Sequence, residues 1–351
     1  EQVQALENGD LASLTNAQIT GLRTDQIAAL ETQDVASLTT TQIGLWSTSQ
    51  LISLTTAQIV ALDDGDLASL SNTKLARLLT DQIQALQTQD LKSLSSAQIA
   101  ALDTAQLAVL TTAQVRAIDA PDFAAFDGAR IPALSTDSFA TLTTEQVRSL
   151  PVNHITAITT DQLTAMSANL IGGFSSDQIT RLSEAQIQSL TTTQVSQLLT
   201  STLTALTSQQ ISQIQTDDIV ALTTPQLGAL ELAQLVGLTS EQLDALENDD
   251  VKAFQPARMR AFGADQLFGL STTDVRALSP DQVAGIRPDA IRQLGTDFLA
   301  ALEPQDFTAL QSDQLRAITT SQLQSLSTTG IAALTSAQVN VLLTEQIRAL
   351  L

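Results

Sequence analysis

Apolar residues recur along this chain in alternating steps of five and three. In "SLTTAQIVALDDGDLASL", residues 53–70, the series is Leu54, Ile59, Leu62, Leu67 and Leu70. The underlying unit has eight residues and reads x-L-T-T-x-Q-I-x. Slot 2 falls at Leu6, Leu14, Leu22 and every eighth residue to Leu350, 44 times, and is apolar each time. Slot 7 runs from Val3 to Ile347, also 44 times, and holds only Leu, Ile, Val, Phe or Met. Slot 6 is Gln 25 times and Asp 9 times, and slot 1 is Ala, Ser or Gly 35 times. Nothing interrupts the register, so the expected organisation is one continuous repeat array over 1–351 with no separate domain.

The spacing predicts structure. Slots 7 and 2, three apart, share one helix face. The five-residue step from slot 2 to slot 7 fits no single face, so the helix must restart between them. Slots 3 and 4 are rich in Thr, Ser, Asn and Asp, whose side chains accept from the free N–H groups of a helix start. With slot 3 as N-cap, slot 6 is the third helical residue and T-x-x-Q is a capping box. Slots 2 and 7 then form the hydrophobic staple. Pro256, Pro280, Pro288 and Pro304 all occupy slot 4, the first helical position, where a missing N–H costs little. Where slot 3 is Arg23, Leu79, Leu199 or Leu343, slot 4 is Thr, and the cap is expected to shift by one residue. Pro132 and Pro151 mark local departures.

Helices this short persist only by stacking, because nucleation is costly. The predicted fold is therefore an all-α solenoid of very short helices, one per octad, with a continuous aliphatic core. Small residues in slot 1 would let neighbouring helices approach. The rival is a β-solenoid, but slots 2 and 7 have opposite parity and Gln and Ala are poor strand residues. Residues 5–60 and 61–116 match at 31 of 56 aligned positions, which points to growth by block duplication. The larger slot 1 residues Leu45, Arg77, Val109 and Thr141 lie 32 apart and hint at four octads per superhelical turn.

Composition narrows function. A net charge of −21 with 16 Lys and Arg argues against nucleic acid and anionic membrane surfaces. No run approaches the ~20 apolar residues of a membrane span. With no Cys there are no disulfides or thiolate metal sites. The acidic, Thr- and Ser-rich composition suits an extracellular or cell-surface setting. Neither terminal octad turns polar, and solenoids need polar caps. The expectation is a piece of a longer array, or ends that meet other chains and make a homo-polymer.

"SLTTAQIVAL" and "VLTTAQVRAI" resemble tandem octads of very large secreted or surface-exposed bacterial proteins, often labelled adhesin-like, heme-utilisation-like or calcium-binding. The resemblance spans essentially all of 1–351 and implies a stalk or adhesive role. The glycine-rich calcium nonapeptides of many secreted proteins are absent.

No catalytic, cofactor-binding or metal site is expected. His154, the one histidine, stands in the Gln slot and is expected to replace the amide in the local cap. The turns "ENGD" (Glu7, Asn8, Asp10), "DDGD" (Asp63, Asp64, Asp66) and "ENDD" (Glu247, Asn248, Asp249, Asp250) are expected to be caps, with Ca²⁺ binding as the alternative. Trp46 and the slot 2 and 7 Phe residues belong to the expected core. Phe268, Phe298, Leu170 and Leu232 fall outside the core slots and are candidates for lateral contact. An enzyme would need a broken repeat housing a pocket. The leading expectation is thus a structural extracellular protein, a filament or an adhesin stalk. The alternative is a scaffold binding a peptide or glycan, hinted at by Arg258, Arg260, Arg276, Arg287 and Arg292.

Overall fold

The computed structural model describes residues 8–350, with side-chain detail from residue 10. Val3, Leu6 and Glu7 lie outside the described residues. α-Helices of four to six residues, replaced at Ala120–Ala125, Ile131–Ala133, Val152–Ala157 and Pro256–Ala261 by 3₁₀ turns, alternate with short extended links, and among the described residues there is no strand. The all-α solenoid expectation holds and the β-solenoid does not. Contacts divide the chain into two compact units, Glu1–Arg181 and Leu182–Leu351, each built the same way.

One octad shows the logic. Thr55 is extended at φ −72° and ψ 159° and caps the helix Thr56–Val60. Its hydroxyl accepts the Gln58 N–H at 3.3 Å, and Gln58 Oε1 accepts the Thr55 N–H at 2.8 Å. Leu54 and Ile59, on either side of the cap, are both buried. The chain then turns its corner on slots 2 and 3 alone. No described residue has a positive φ, so no corner depends on glycine. The prolines behave as expected. Pro280, Pro288 and Pro304 each open a helix, and Pro256 opens the 3₁₀ turn Pro256–Ala261. Pro132 and Pro151 accompany 3₁₀ turns at Ile131–Ala133 and Val152–Ala157.

The cap does not shift where slot 3 lacks a capping side chain. Arg23, Leu79, Leu199 and Leu343 keep the extended N-cap conformation, and their helices still start at slot 4. The reason is the other half of the box. Gln26, Gln82 and Gln346 each still accept the slot 3 N–H through Oε1, at 3.0, 2.9 and 2.7 Å. In these three octads the glutamine holds the start without a hydroxyl, whereas the Leu199 octad, with Thr202 in slot 6, starts at the same slot with neither.

Within each unit a helix lies beside the one three octads on. Thr40–Leu45 packs on Asp64–Ser69, and Pro280–Gly285 on Pro304–Ala309. Side-chain bonds meanwhile reach back 28 to 31 residues, as from Gln58 to Leu30 and Ile27. The backbone therefore closes a turn within three to four octads, not at the four suggested by the 32-residue spacing. Slot 1 makes the close approach. A Cβ added at Gly237 or Gly269 would stand 2.2 Å from the Ser208 carbonyl oxygen or 2.1 Å from that of Ser240.

Gly269→Val is expected to destabilise the second unit by about 1–3 kcal/mol through overpacking. Chemical unfolding followed by circular dichroism measures this. An unchanged midpoint would show that the turns are not held this closely.

Candidate functional site

The recurring polar site is slot 6. A helix leaves its first N–H groups and last C=O groups unpaired, and in a helix of four to six residues these are nearly all its peptide groups. Gln58 serves both kinds of end at once. Its Oε1 accepts from the N-cap N–H of its own helix. Its Nε2 donates to the carbonyls of Ile27, at 2.9 Å, and Leu30, at 2.8 Å, at the end of a helix one turn back. Gln242 repeats this in the second unit, with Thr239 N–H at 2.9 Å and the Ile211 and Ile214 carbonyls at 2.9 and 2.7 Å. Both glutamines are buried, 2% exposed each. The sequence reading gave these amides only the local cap. The signal for the second role was present: slot 6 never holds Glu, although Glu serves a capping box equally well. A carboxylate has no N–H to give to the neighbouring turn.

The exceptions follow the same rule. Lys74 Nζ donates to the Gly44 carbonyl at 2.7 Å, Arg130 Nε to that of Leu102 at 3.3 Å, and Arg258 Nη1 to that of Leu230 at 2.7 Å. His154 also belongs here, which corrects the local-cap expectation. Its Nδ1 lies 3.2 Å from the Phe126 carbonyl oxygen, and its Nε2 accepts from Asn153 Nδ2 at 3.0 Å. The slot 3 residue of this octad is Pro151, which has no N–H to cap, so only the bond to the preceding turn remains to be made.

Aspartate is the other substitute. Asp90 Oδ2 accepts the Gln87 N–H at 2.6 Å, and Asp306 Oδ2 accepts that of Glu303 at 2.8 Å. As a carboxylate it cannot donate, so it takes a hydroxyl from the turn behind instead. Ser96 donates to Asp122 at 2.5 Å and Thr192 to Asp218 at 2.7 Å. Burial raises the pKa of Asp66, Asp218, Asp250 and Asp306. Asp90 is pushed up to about 6, first by burial and then by Asp64 and Asp63 on the preceding turn. Asp306, with Pro280 where those hydroxyls stand, keeps a buried Oδ1 with no hydrogen-bond partner.

Of the acidic turns, DDGD is a side-chain cap, ENDD keeps only the bond from the Glu247 N–H to Asp250 Oδ2, at 3.3 Å, and the N-cap of ENGD lies outside the described residues. Asp63 Oδ1 accepts the Asp66 N–H at 2.9 Å, and Asp249 pairs with Lys252 at 2.9 Å. Among the described residues no group of three or more His, Cys, Asp or Glu side chains is arranged to hold a metal ion. Trp46 and the core phenylalanines are buried as expected, though Trp46 Nε1 has no partner. Phe298 and Leu170 are buried too, at 8% and 7% exposure, so they do not form an outer contact surface. They stand where Gln stands elsewhere and point into the joint between turns. Phe268 is 56% exposed, and Leu232 is half-buried. Among the described residues no helix is long and apolar enough to cross a membrane.

Seven stretches, residues 3–32, 27–64, 83–120, 155–192, 211–248, 299–336 and 317–351, match a family described as the ALTTAQ repeat. No curated protein matches the chain.

The raised Asp90 pKa fixes the sign of a pH effect. Its folded value, about 6, lies above the unfolded 3.8, so the folded state binds the proton more tightly. Stability is fully present below pH ~3.8 and lost as pH rises through ~6. Relative to Asp90→Asn, the natural chain is expected to lose about 1–2 kcal/mol between pH 4 and pH 7. Unfolding midpoints of the pair at both pH values measure it, and parallel shifts would refute the assignment.

Proposed function

The chain belongs to the ALTTAQ-repeat family, and on that premise we propose that it is a non-catalytic structural protein of the cell exterior. It serves as the stalk of a large surface adhesin, or as a filament of arrays joined end to end. One observation carries this reading: among the described residues most octads are tied to the turn behind them by a slot 6 side chain that donates to its carbonyls. The geometry at Gln58 recurs at Gln114, Gln162 and Gln282. A bond that recurs from octad to octad in this way sets no natural length, which suits a spacer. It is also self-complementary, since any turn with free amides fits any turn with free carbonyls, in the same copy or another. The reading calls for no cofactor and gives Ca²⁺ no structural part. The acidic surface supports separation from nucleic acid.

Electron microscopy of the full chain at several concentrations tests this. Fibres with a constant axial repeat are expected for end-to-end assembly, and single slender rods for a stalk segment. Compact particles at every concentration would overturn both.

A second reading, a scaffold binding an anionic peptide or glycan, is favoured by one feature. Between residues 252 and 292 five of the six slot 8 positions hold Lys252, Arg260, Phe268, Arg276 and Arg292, all exposed, and the sixth is Ala284. Binding on a glycan or peptide array that disappears in the Arg260→Ala/Arg276→Ala/Arg292→Ala variant would support it. An array without hits would dismiss it.

A further inference from the structure

In one joint of the second unit the bonds between turns are missing. Slot 6 is Ala290, Phe298 and Asp306 in three successive octads. By the rule set by Gln242 and Gln282, these positions should donate to the slot 2 carbonyls 28 residues back, those of Phe262, Leu270 and Leu278. None carries an N–H. Past residue 40, among the described residues, no other three successive octads lack a side chain that reaches back. On the chain's earlier side Gln226, Gln234 and Gln242 make the bond in three octads running, to Leu198 at 2.8 Å, Leu206 at 2.9 Å and Ile214 at 2.7 Å.

Packing does not make up the loss. Phe298 leaves beside it a hollow of about 330 Å³, lined by Leu267, Phe268, Leu270, Val275 and Gly295. Leu270 is only half-buried, whereas Leu238 and Leu278 are fully buried. Asp306 keeps a buried oxygen without a partner. Three separate observations thus coincide: missing donors, an unfilled hollow and an unpaired buried carboxylate oxygen.

We infer that this joint is a built-in yield point. Under load or mild denaturant the turn at 288–309 parts from the turn at 256–278 before the neighbouring joints open. On the earlier side Ala264–Leu267 and Thr272–Ala277 keep their own caps, whereas Pro288–Gln293 and Thr296–Ala301 on the later side have no side-chain cap, so the opening loosens these two helices first. A graded array of this kind opens sub-globally at its weakest nearest-neighbour contact. The inference stands apart from the stalk reading, because it concerns the order in which joints open and not what the array is attached to.

Native-state hydrogen exchange of the full chain, read by mass spectrometry in low denaturant, tests it. Amides in 256–309 are expected to exchange at least ~tenfold faster than those in 196–246. The Ala290→Gln/Phe298→Gln/Asp306→Gln variant is expected to remove that difference. Should that variant fail to fold, Gln226→Ala/Gln234→Ala/Gln242→Ala decides. It is expected to create a second fast-exchanging joint over 196–246. Equal protection of the two segments in the natural chain, or unchanged exchange in the second variant while its helical circular dichroism is retained, would overturn the inference.

Discussion

A primary amide is the smallest side-chain group that both accepts and donates hydrogen bonds at once, and this fold depends on it. A helix of five residues has almost no interior, so nearly all its peptide groups are end groups. Burying them unpaired would cost about 1–3 kcal/mol each, more than burial of two aliphatic anchors per octad can offset reliably. Gln58 removes the problem at two places. It satisfies the N–H of its own cap and the carbonyls of Ile27 and Leu30 one turn back. The local fold of one octad and the packing of two turns are thus one interaction.

The substitutions at slot 6 form a scale of what can be given up. Lys74, Arg130, Arg258 and His154 surrender the local acceptor but keep a donor for the preceding turn. Asp66 and Asp90 keep the local acceptor and surrender the donor. They bring a buried negative charge, and its desolvation shows in their raised pKa values. Ala290 and Phe298 surrender both. At slot 6, a change of charge is therefore also a change in the strength of a joint.

Much of this was legible in the sequence. The five-and-three spacing, the Thr in slot 3 and the prolines in slot 4 fix helix starts and the two buried slots, because caps and staples are local and read within eight residues. Contacts between turns were less legible. The 32-residue spacing of Leu45 and Arg77 does not match the turn, which the backbone closes earlier, and no local rule encodes that closure. His154 was assigned to the wrong bond for a related reason: its partner, the Phe126 carbonyl, lies 28 residues away. Phe298 and Leu170 read as lateral contacts because slot 6 is not one of the two anchor slots. It is a joint, and joints can be apolar.

The two-residue corner has a further consequence. Since slots 2 and 3 turn the chain without glycine or insertion, nothing in an octad can absorb an extra residue. A single-residue insertion would leave that octad's own cap intact, yet it would put out of step every bond spanning it, across the three to four octads on either side. Whole octads, by contrast, can be added or removed and each joint still finds a carbonyl at the right distance. Lineages of such chains should therefore differ by multiples of eight residues, with length free to vary and phase held constant.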